Sequence, residues 1–223
     1  MHFVTKWLKA PTISDVAQHR SFEEQRKRAR ILIIDDDPNA FPVELLQKEG
    51  YNLTHWFKVE NYKPLESGEY DIVVLDIQGI LPENKSNEDG IDLLRHIKTY
   101  NPAQIVIAYS GKKHDLNKSD FWKLADDYLG KPSSIMICKQ KIDELLTSRF
   151  SIDYYWSVIK NLLQSQEVSE KDISKLETRM AKSLKKKKPL TKDDISETIK
   201  LSRESLAAVS LVVGLITRLY STP

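Results

Sequence analysis

Ile31-Leu32-Ile33-Ile34-Asp35-Asp36-Asp37-Pro38 runs four apolar residues straight into three carboxylates. A short apolar run that stops at polar residues is the pattern of a buried parallel strand ending at a crevice. Three later stretches repeat it. Ile72-Val73-Val74-Leu75 precedes Asp76, Ile105-Val106-Ile107-Ala108-Tyr109 precedes Ser110, and Asp127-Tyr128-Leu129-Gly130 precedes Lys131-Pro132. Open α/β sheets bind ligands outside the C-terminal ends of their strands, so all four polar groups are expected at one rim. Asp35, Asp36 and Asp76 would repel each other there unless a cation lay among them. A lysine and a hydroxyl at the same rim suit a phosphoryl group. The residues therefore predict an acidic, metal-dependent phosphate site.

Composition narrows the class. A chain of 223 residues can hold a domain of about 120 residues plus a smaller appendage. Its 34 basic and 32 acidic residues leave a net charge of +2, with no global drive toward nucleic acid or acidic lipid. The lone cysteine, Cys138, excludes an intramolecular disulfide and fits a reducing compartment. The N-terminal residues lack the apolar core of a secretory signal. Uncharged residues run only from Ser205 to Thr217, shorter than the roughly 17–25 needed to span a bilayer. The expectation is a cytoplasmic protein without a membrane partner.

Glycine placement suggests the organisation. Six of the seven glycines fall between Gly50 and Gly130, as frequent turns require, and only Gly214 lies beyond. Residues 1–29 read as an extension with a short helix opened by the capping box Ser21 to Glu24. Residues 30–147 read as strands at 30–34, 52–59, 72–75, 105–109 and 127–129. Helices are expected at 42–49, 91–99, 120–125 and 134–147, with a helical turn near 64–67. This alternation predicts a doubly wound, five-stranded parallel sheet. Residues 148–223 read as helical. Ile195, Ile199, Ser202, Leu206, Val209, Val213, Ile216 and Tyr220 follow a 4-3-4-3 spacing, the seam of a long packed helix or coiled coil. Thr191 is its expected N-cap. Ile173, Leu176, Met180 and Leu184 form a shorter stripe, and Lys185 to Pro189 separate the two. A helical hairpin follows, with another helix at about 151–164.

The stretch from about Arg30 to Thr147 resembles the receiver domain of two-component response regulators. The motifs that carry the resemblance are ILIIDDDP (31–38), DIVVLDIQG (71–79), DGIDLLRHIK (89–98), IVIAYSG (105–111) and ADDYLGKP (125–132). It implies a flavodoxin-like fold with Asp76 as phosphoacceptor and Mg2+ as cofactor. Direct ligation by Asp36, Asp76 and the backbone carbonyl of Gln78 is implied, with Asp35 holding a metal-bound water. Lys131 and Ser110 would then contact the phosphoryl oxygens, and Tyr128 falls at the aromatic switch position. The family is also known for a cis peptide at the junction occupied here by Lys131-Pro132. Without the resemblance, each aspartate alone reads as a turn cap and Tyr128 as an edge-strand tyrosine.

The sequence also departs from the family. The loop 79–88 beside the nucleophile is longer than usual, Gln78-Gly79-Ile80 replaces a Met-Pro, and only 60–69 are left for the second helix of the sheet. None of the five histidines, His2, His19, His55, His96 and His114, falls in the C-terminal helices, so no phosphorylatable imidazole accompanies them. His96 reads as a surface or half-buried residue. Neither a zinc cluster nor a Gly-rich phosphate loop is present, and the phosphoryl group must come from elsewhere.

The reading is a non-enzymatic phosphorylation switch. It would take its phosphoryl group from a histidine kinase, a phosphotransfer protein or a small phosphodonor. Output would pass through the C-terminal helices by partner docking or by homodimerisation through 192–220. One alternative is a transcription regulator, against which no basic recognition helix is found. A second is a phosphate-ester hydrolase using the same carboxylates, against which Gln78 stands where an acid would be needed. A third is an adaptor with a vestigial pocket. The lysines 185–188 read first as a solvated turn, and nucleic acid is not expected as a partner.

Overall fold

The computed structural model describes residues 10–17, 20–81, 89–111 and 123–221. The chain divides into two compact units, one spanning His19–Tyr154 and the other combining Met1–Gln18 with Tyr155–Pro223.

The first unit is the α/β sheet. Its elements are α1 (Phe22–Arg28), β1 (Arg30–Ile34), α2 (Val43–Lys48), β2 (Asn52–Trp56), α3 (Lys63–Glu66), β3 (Ile72–Asp76), α4 (Asp89–Tyr100), β4 (Ile105–Ser110), β5 (Asp127–Gly130) and α5 (Ile135–Arg149). The order is β2-β1-β3-β4-β5, with every pair parallel. That order is the flavodoxin-like one, whose switch point lies between β1 and β3. Strands β1, β3 and β4 are buried throughout except for Arg30, which explains their nearly continuous apolar runs. Alternation still sorts the faces. Leu32, Ile34, Val73, Leu75, Val106 and Ala108 pack with Ile91, Leu94 and Ile97 of α4. Ile31, Ile33, Val74, Ile107 and Tyr109 are buried out of phase with them. Half of the expected helix at 120–125 lies outside the described residues, with 123–124 helical, and residues 82–88 of the loop after β3 lie outside them too.

The capping box that opens α1 forms as expected, with Ser21 and Glu24 satisfying each other's backbone amides. Arg26 then lies over the Tyr51 ring at 5.4 Å. Ser134 caps α5, which buries Cys138, Ile142, Leu145 and Leu146.

The second unit is helical. Helix α6 (Ile152–Ser165), whose first turn contains the division between the units, is followed by α7 (Glu170–Lys185), α8 (Lys192–Thr198) and α9 (Arg203–Ser221). Residues near the N-terminus contribute to it: Ile13 is fully buried and its amide donates to Glu177 Oε1 at 3.2 Å. The single long helix expected over 192–220 is instead two. Thr191 caps α8 as expected, but Ile199 turns extended at φ −142°, ψ 138°. Ser202 Oγ then accepts from the Ser205 amide at 3.1 Å and opens α9. Serine competes for backbone amides in this way, so the one polar residue of the seam ends it as a continuous helix. Ile195, Val209, Val213 and Ile216 are nonetheless buried, joined by Val212, Leu215 and Leu219. Helices α7, α8 and α9 pack on one another, so the unit is more than a hairpin. Among the described residues α9 alone is long and apolar enough, by length and composition, to cross a membrane, and a third of it is buried in the fold.

Candidate functional site

Parallel pairing brings the expected polar groups to one rim. Ile34 aligns with Leu75, so the carboxylates that follow them, Asp35 and Asp76, emerge side by side where β1 and β3 end. Ser110 pairs with Gly130, which sets Lys131 one step beyond it. Carboxylate oxygens of Asp35, Asp36 and Asp76 lie within 4.8 Å of one another. Asp35 is fully buried, Asp76 nearly so, and Asp36 exposed.

Lys131 closes the group. Its Nζ lies 2.6 Å from Asp35 Oδ2 and 2.7 Å from Asp76 Oδ2. Only the contact with Asp76 has hydrogen-bond alignment, leaving Asp35 Oδ2 a buried oxygen with an ion-pair neighbour but no aligned donor. The other oxygens take backbone amides: Asp37 donates to Asp35 Oδ1 at 3.0 Å and Ile77 to Asp76 Oδ1 at 2.6 Å. Burial pushes the Asp76 carboxyl above the usual aspartate range, and the contact with Lys131 only partly opposes it. Burial also works against the Lys131 ammonium, yet its two carboxylate partners offset that and hold it above the usual lysine value.

Three carboxylates and one ammonium sum to −2 in ionised form. That residual charge, on carboxylate oxygens gathered within 4.8 Å of one another, fits a divalent, oxygen-seeking cation such as Mg2+. Gln78 stands in the turn after β3, between Ile77 and Gly79, on the same rim. Ser110 is buried, and Tyr128, half-buried, donates its hydroxyl to the Ser110 carbonyl at 3.1 Å. The Lys131-Pro132 peptide is cis. Six of the seven expected site residues thus fall at the C-terminal ends of their strands or just beyond, and Tyr128, opposite Ala108 within the sheet, reaches that end through its hydroxyl. His96, by contrast, is half-buried against Glu66 at 2.7 Å, on a helix away from the strand ends.

Four supporting residues were not singled out from the sequence. His55 Nε2 lies 2.9 Å from the Asp35 carbonyl oxygen. Lys131 rests over the Tyr109 ring at 4.8 Å, and the Tyr109 hydroxyl donates to the Ala40 carbonyl. A Cβ at Gly79 would lie 2.5 Å from Asp36 Oδ2, and one at Gly90 would lie 2.3 Å from the Asp76 carbonyl oxygen. Gly90 belongs to the DG pair opening α4, and Tyr109 directly precedes Ser110. Those neighbours were the available signals.

Fold and site together define a receiver-like α/β domain. Solved structures similar to this chain include response-regulator receivers. A CheY-like receiver domain protein from Methanospirillum hungatei is 25% identical, covering 54% of this chain and 95% of its own, with a TM-score of 0.46. A two-component response regulator from Clostridium difficile is also 25% identical, over 54% of this chain and 98% of its own, with a TM-score of 0.46. The response regulator TrrA of Thermotoga maritima, solved in complex with Mg2+ and BeF, is 29% identical over 52% of this chain and 98% of its own, with a TM-score of 0.44. No protein-family model matches the chain, and a search of curated proteins finds no match.

Proposed function

We propose that this protein is a response-regulator-like switch that accepts a phosphoryl group on Asp76. The observation that carries the reading is the meeting of Asp35, Asp36 and Asp76 with Lys131 at the ends of β1, β3 and β5. A carboxylate oxygen of Asp76 attacks the phosphorus of a phosphohistidine or an acyl phosphate. The new P–O bond forms as the P–N or P–O bond to the donor breaks, and the donor leaves with the electron pair. Asp35, Asp36, Asp76 and the Gln78 carbonyl would hold Mg2+, which when bound supplies charge neutralisation for the incoming anion. Lys131 gives one phosphoryl oxygen a point charge. Ser110 offers its hydroxyl to another, and Tyr128, already bonded to the Ser110 backbone, responds to that movement as a population shift.

The donor would be a histidine kinase, a phosphotransfer protein or a small phosphodonor, in a cytoplasmic setting. Output would run through the helical unit. Burial of Ile195, Val209, Val213 and Ile216 favours partner docking over homodimerisation by that seam. Incubation with Mg2+ and acetyl phosphate, followed by intact-mass measurement, tests the proposal. A phosphoryl adduct on the native chain, lost in Asp76→Asn, is expected. An adduct that persists in Asp76→Asn, or none at all with a beryllofluoride mimic also failing to bind, overturns it.

A further inference from the structure

Helix α7 buries Ile173, Leu176, Met180, Ala181 and Leu184 on one side. Its other side carries Lys171, Lys175, Thr178, Lys182 and Lys185 at 4-3-4-3 spacing, with Ser174 beside Lys175. Residues three and four apart share a helix face, so these form one stripe. It continues through the exposed Lys186, Lys187 and Lys188 in the following turn.

Residues 171–188 hold eight basic and two acidic side chains, a net of +6 within a chain whose total is +2. The two acids are engaged: Asp172 pairs with Lys175 at 2.7 Å, and Glu177 accepts the Ile13 amide. Arg179 is held by Asp194 and Glu197. Among the described residues no carboxylate lies within ion-pair distance of Lys171, Lys182 or Lys185 to Lys188. Like charges at helical spacing repel by a few tenths of a kcal/mol per pair, so the stripe weakens the fold until an anion covers it. Lys171, Ser174, Lys175, Thr178, Arg179 and Lys182 line a shallow depression of about 390 Å³.

We propose that this stripe binds the phosphate backbone of double-stranded nucleic acid without reading its sequence. Lysines act on phosphate as point charges, and interleaved serine and threonine hydroxyls are phosphate donors. From Lys171 to Lys185 the stripe runs about 21 Å at 1.5 Å per residue, long enough to follow several phosphates of one strand. No unengaged Arg, Asn or Gln is placed in it for bidentate contact with bases. A helix lying in a membrane surface needs large apolar side chains beside its lysines. Among the described residues the exposed large hydrophobics, Leu45, Phe57, Tyr62, Tyr100, Met136 and Ile137, are all elsewhere. Protein interfaces are depleted in lysine, which weighs against an acidic protein partner. This inference does not depend on the phosphoryl site. It revises the expectation that Lys185 to Lys188 form only a solvated turn, because the folded helix alone brings Lys171, Lys175 and Lys182 into line with them.

Titrating the full-length protein into a short labelled DNA duplex, with fluorescence anisotropy at a series of salt concentrations, tests it. Binding should weaken with salt along a log–log slope of about −4, from four to five displaced counterions, and should not differ between unrelated sequences. K182E/K185E/K186E should weaken binding by about three orders of magnitude at about 0.05 M salt and flatten the slope by about three. K171E/K175E should weaken it too, which keeps the test open if the triple variant fails to fold. Lys200, exposed but outside the stripe, serves as the control, and K200E should bind like the native chain. The proposal is overturned by absence of salt-dependent binding, by variants that bind like the native chain, or by capture on phosphatidylserine vesicles without capture by the duplex.

Discussion

Gly79 stands so close to Asp36 that a Cβ at position 79 would lie 2.5 Å from Asp36 Oδ2 and 3.0 Å from its Cγ. The backbone there also has φ +78°, a conformation that costs other residues about 1 kcal/mol. The exposed carboxylate of the site is therefore positioned by the absence of a side chain opposite it. Gly79→Ala should lower stability by about that amount and displace Asp36. Magnesium affinity, followed by calorimetry, should fall roughly tenfold, equivalent to about 1.4 kcal/mol. Unchanged affinity would show that Asp36 is not a ligand.

Lys131 is the ammonium shared by two buried carboxylates, so its removal should be felt in stability as well as chemistry. Breaking a buried pair from one side leaves an uncompensated charge and typically costs about 3–5 kcal/mol. Lys131→Met should approach that loss in urea unfolding with a chelator present. Added Mg2+ should restore more stability to the variant than to the native chain, because cation and ammonium neutralise the same oxygens. An equal response of both proteins to Mg2+ would contradict this.

Alkaline pH should destabilise the sheet unit. Burial raises the Cys138 thiol from 9.0 to about 11, and burial also lifts Tyr51 and Tyr109 well above the usual tyrosine range. Each group is held in its neutral form by folding. Its contribution is complete below the unfolded pKa and is lost as pH rises toward the folded value. Melting temperature should accordingly fall from about pH 9 upward. At pH 8 the native chain should resist alkylation at Cys138 until it is unfolded. Rapid alkylation of the native protein would refute this.

Ser202 separates α8 from α9 by capping the second helix. Ser202→Ala should cost about 1 kcal/mol, read from thermal unfolding, since the Ser205 amide loses its side-chain acceptor. A gain in stability would mean that the two helices prefer to fuse and that the break is imposed by packing.

Much of the sheet unit was legible because its signals are local. ILII before DDD, IVVL before Asp76 and IVIAY before Ser110 each mark a buried strand and its polar end, and parallel register then needs little choice. Strand ends moved by only a residue or so, apart from β2, which stops at Trp56, just before the exposed Phe57. The helical region was less legible. A 4-3-4-3 seam is compatible with one long helix or with two that share a buried side. Ser202 chose the second.

Sequence alone determined which chemistry could gather at the strand ends, because apolar runs terminated by Asp35, Asp76, Ser110 and Lys131 leave those groups nowhere else to go in a parallel sheet. It could not say how that charge is balanced. Tertiary structure decided that Lys131 sits between Asp35 and Asp76, that Gly79 leaves room for the Asp36 carboxylate and Gly90 for the backbone of Asp76 and Ile77, and that residues near Ile13 join the helices near Glu177. Those are contacts between segments far apart in the chain. Their distances follow from packing, whereas periodicity reports only which side of its own element a residue occupies.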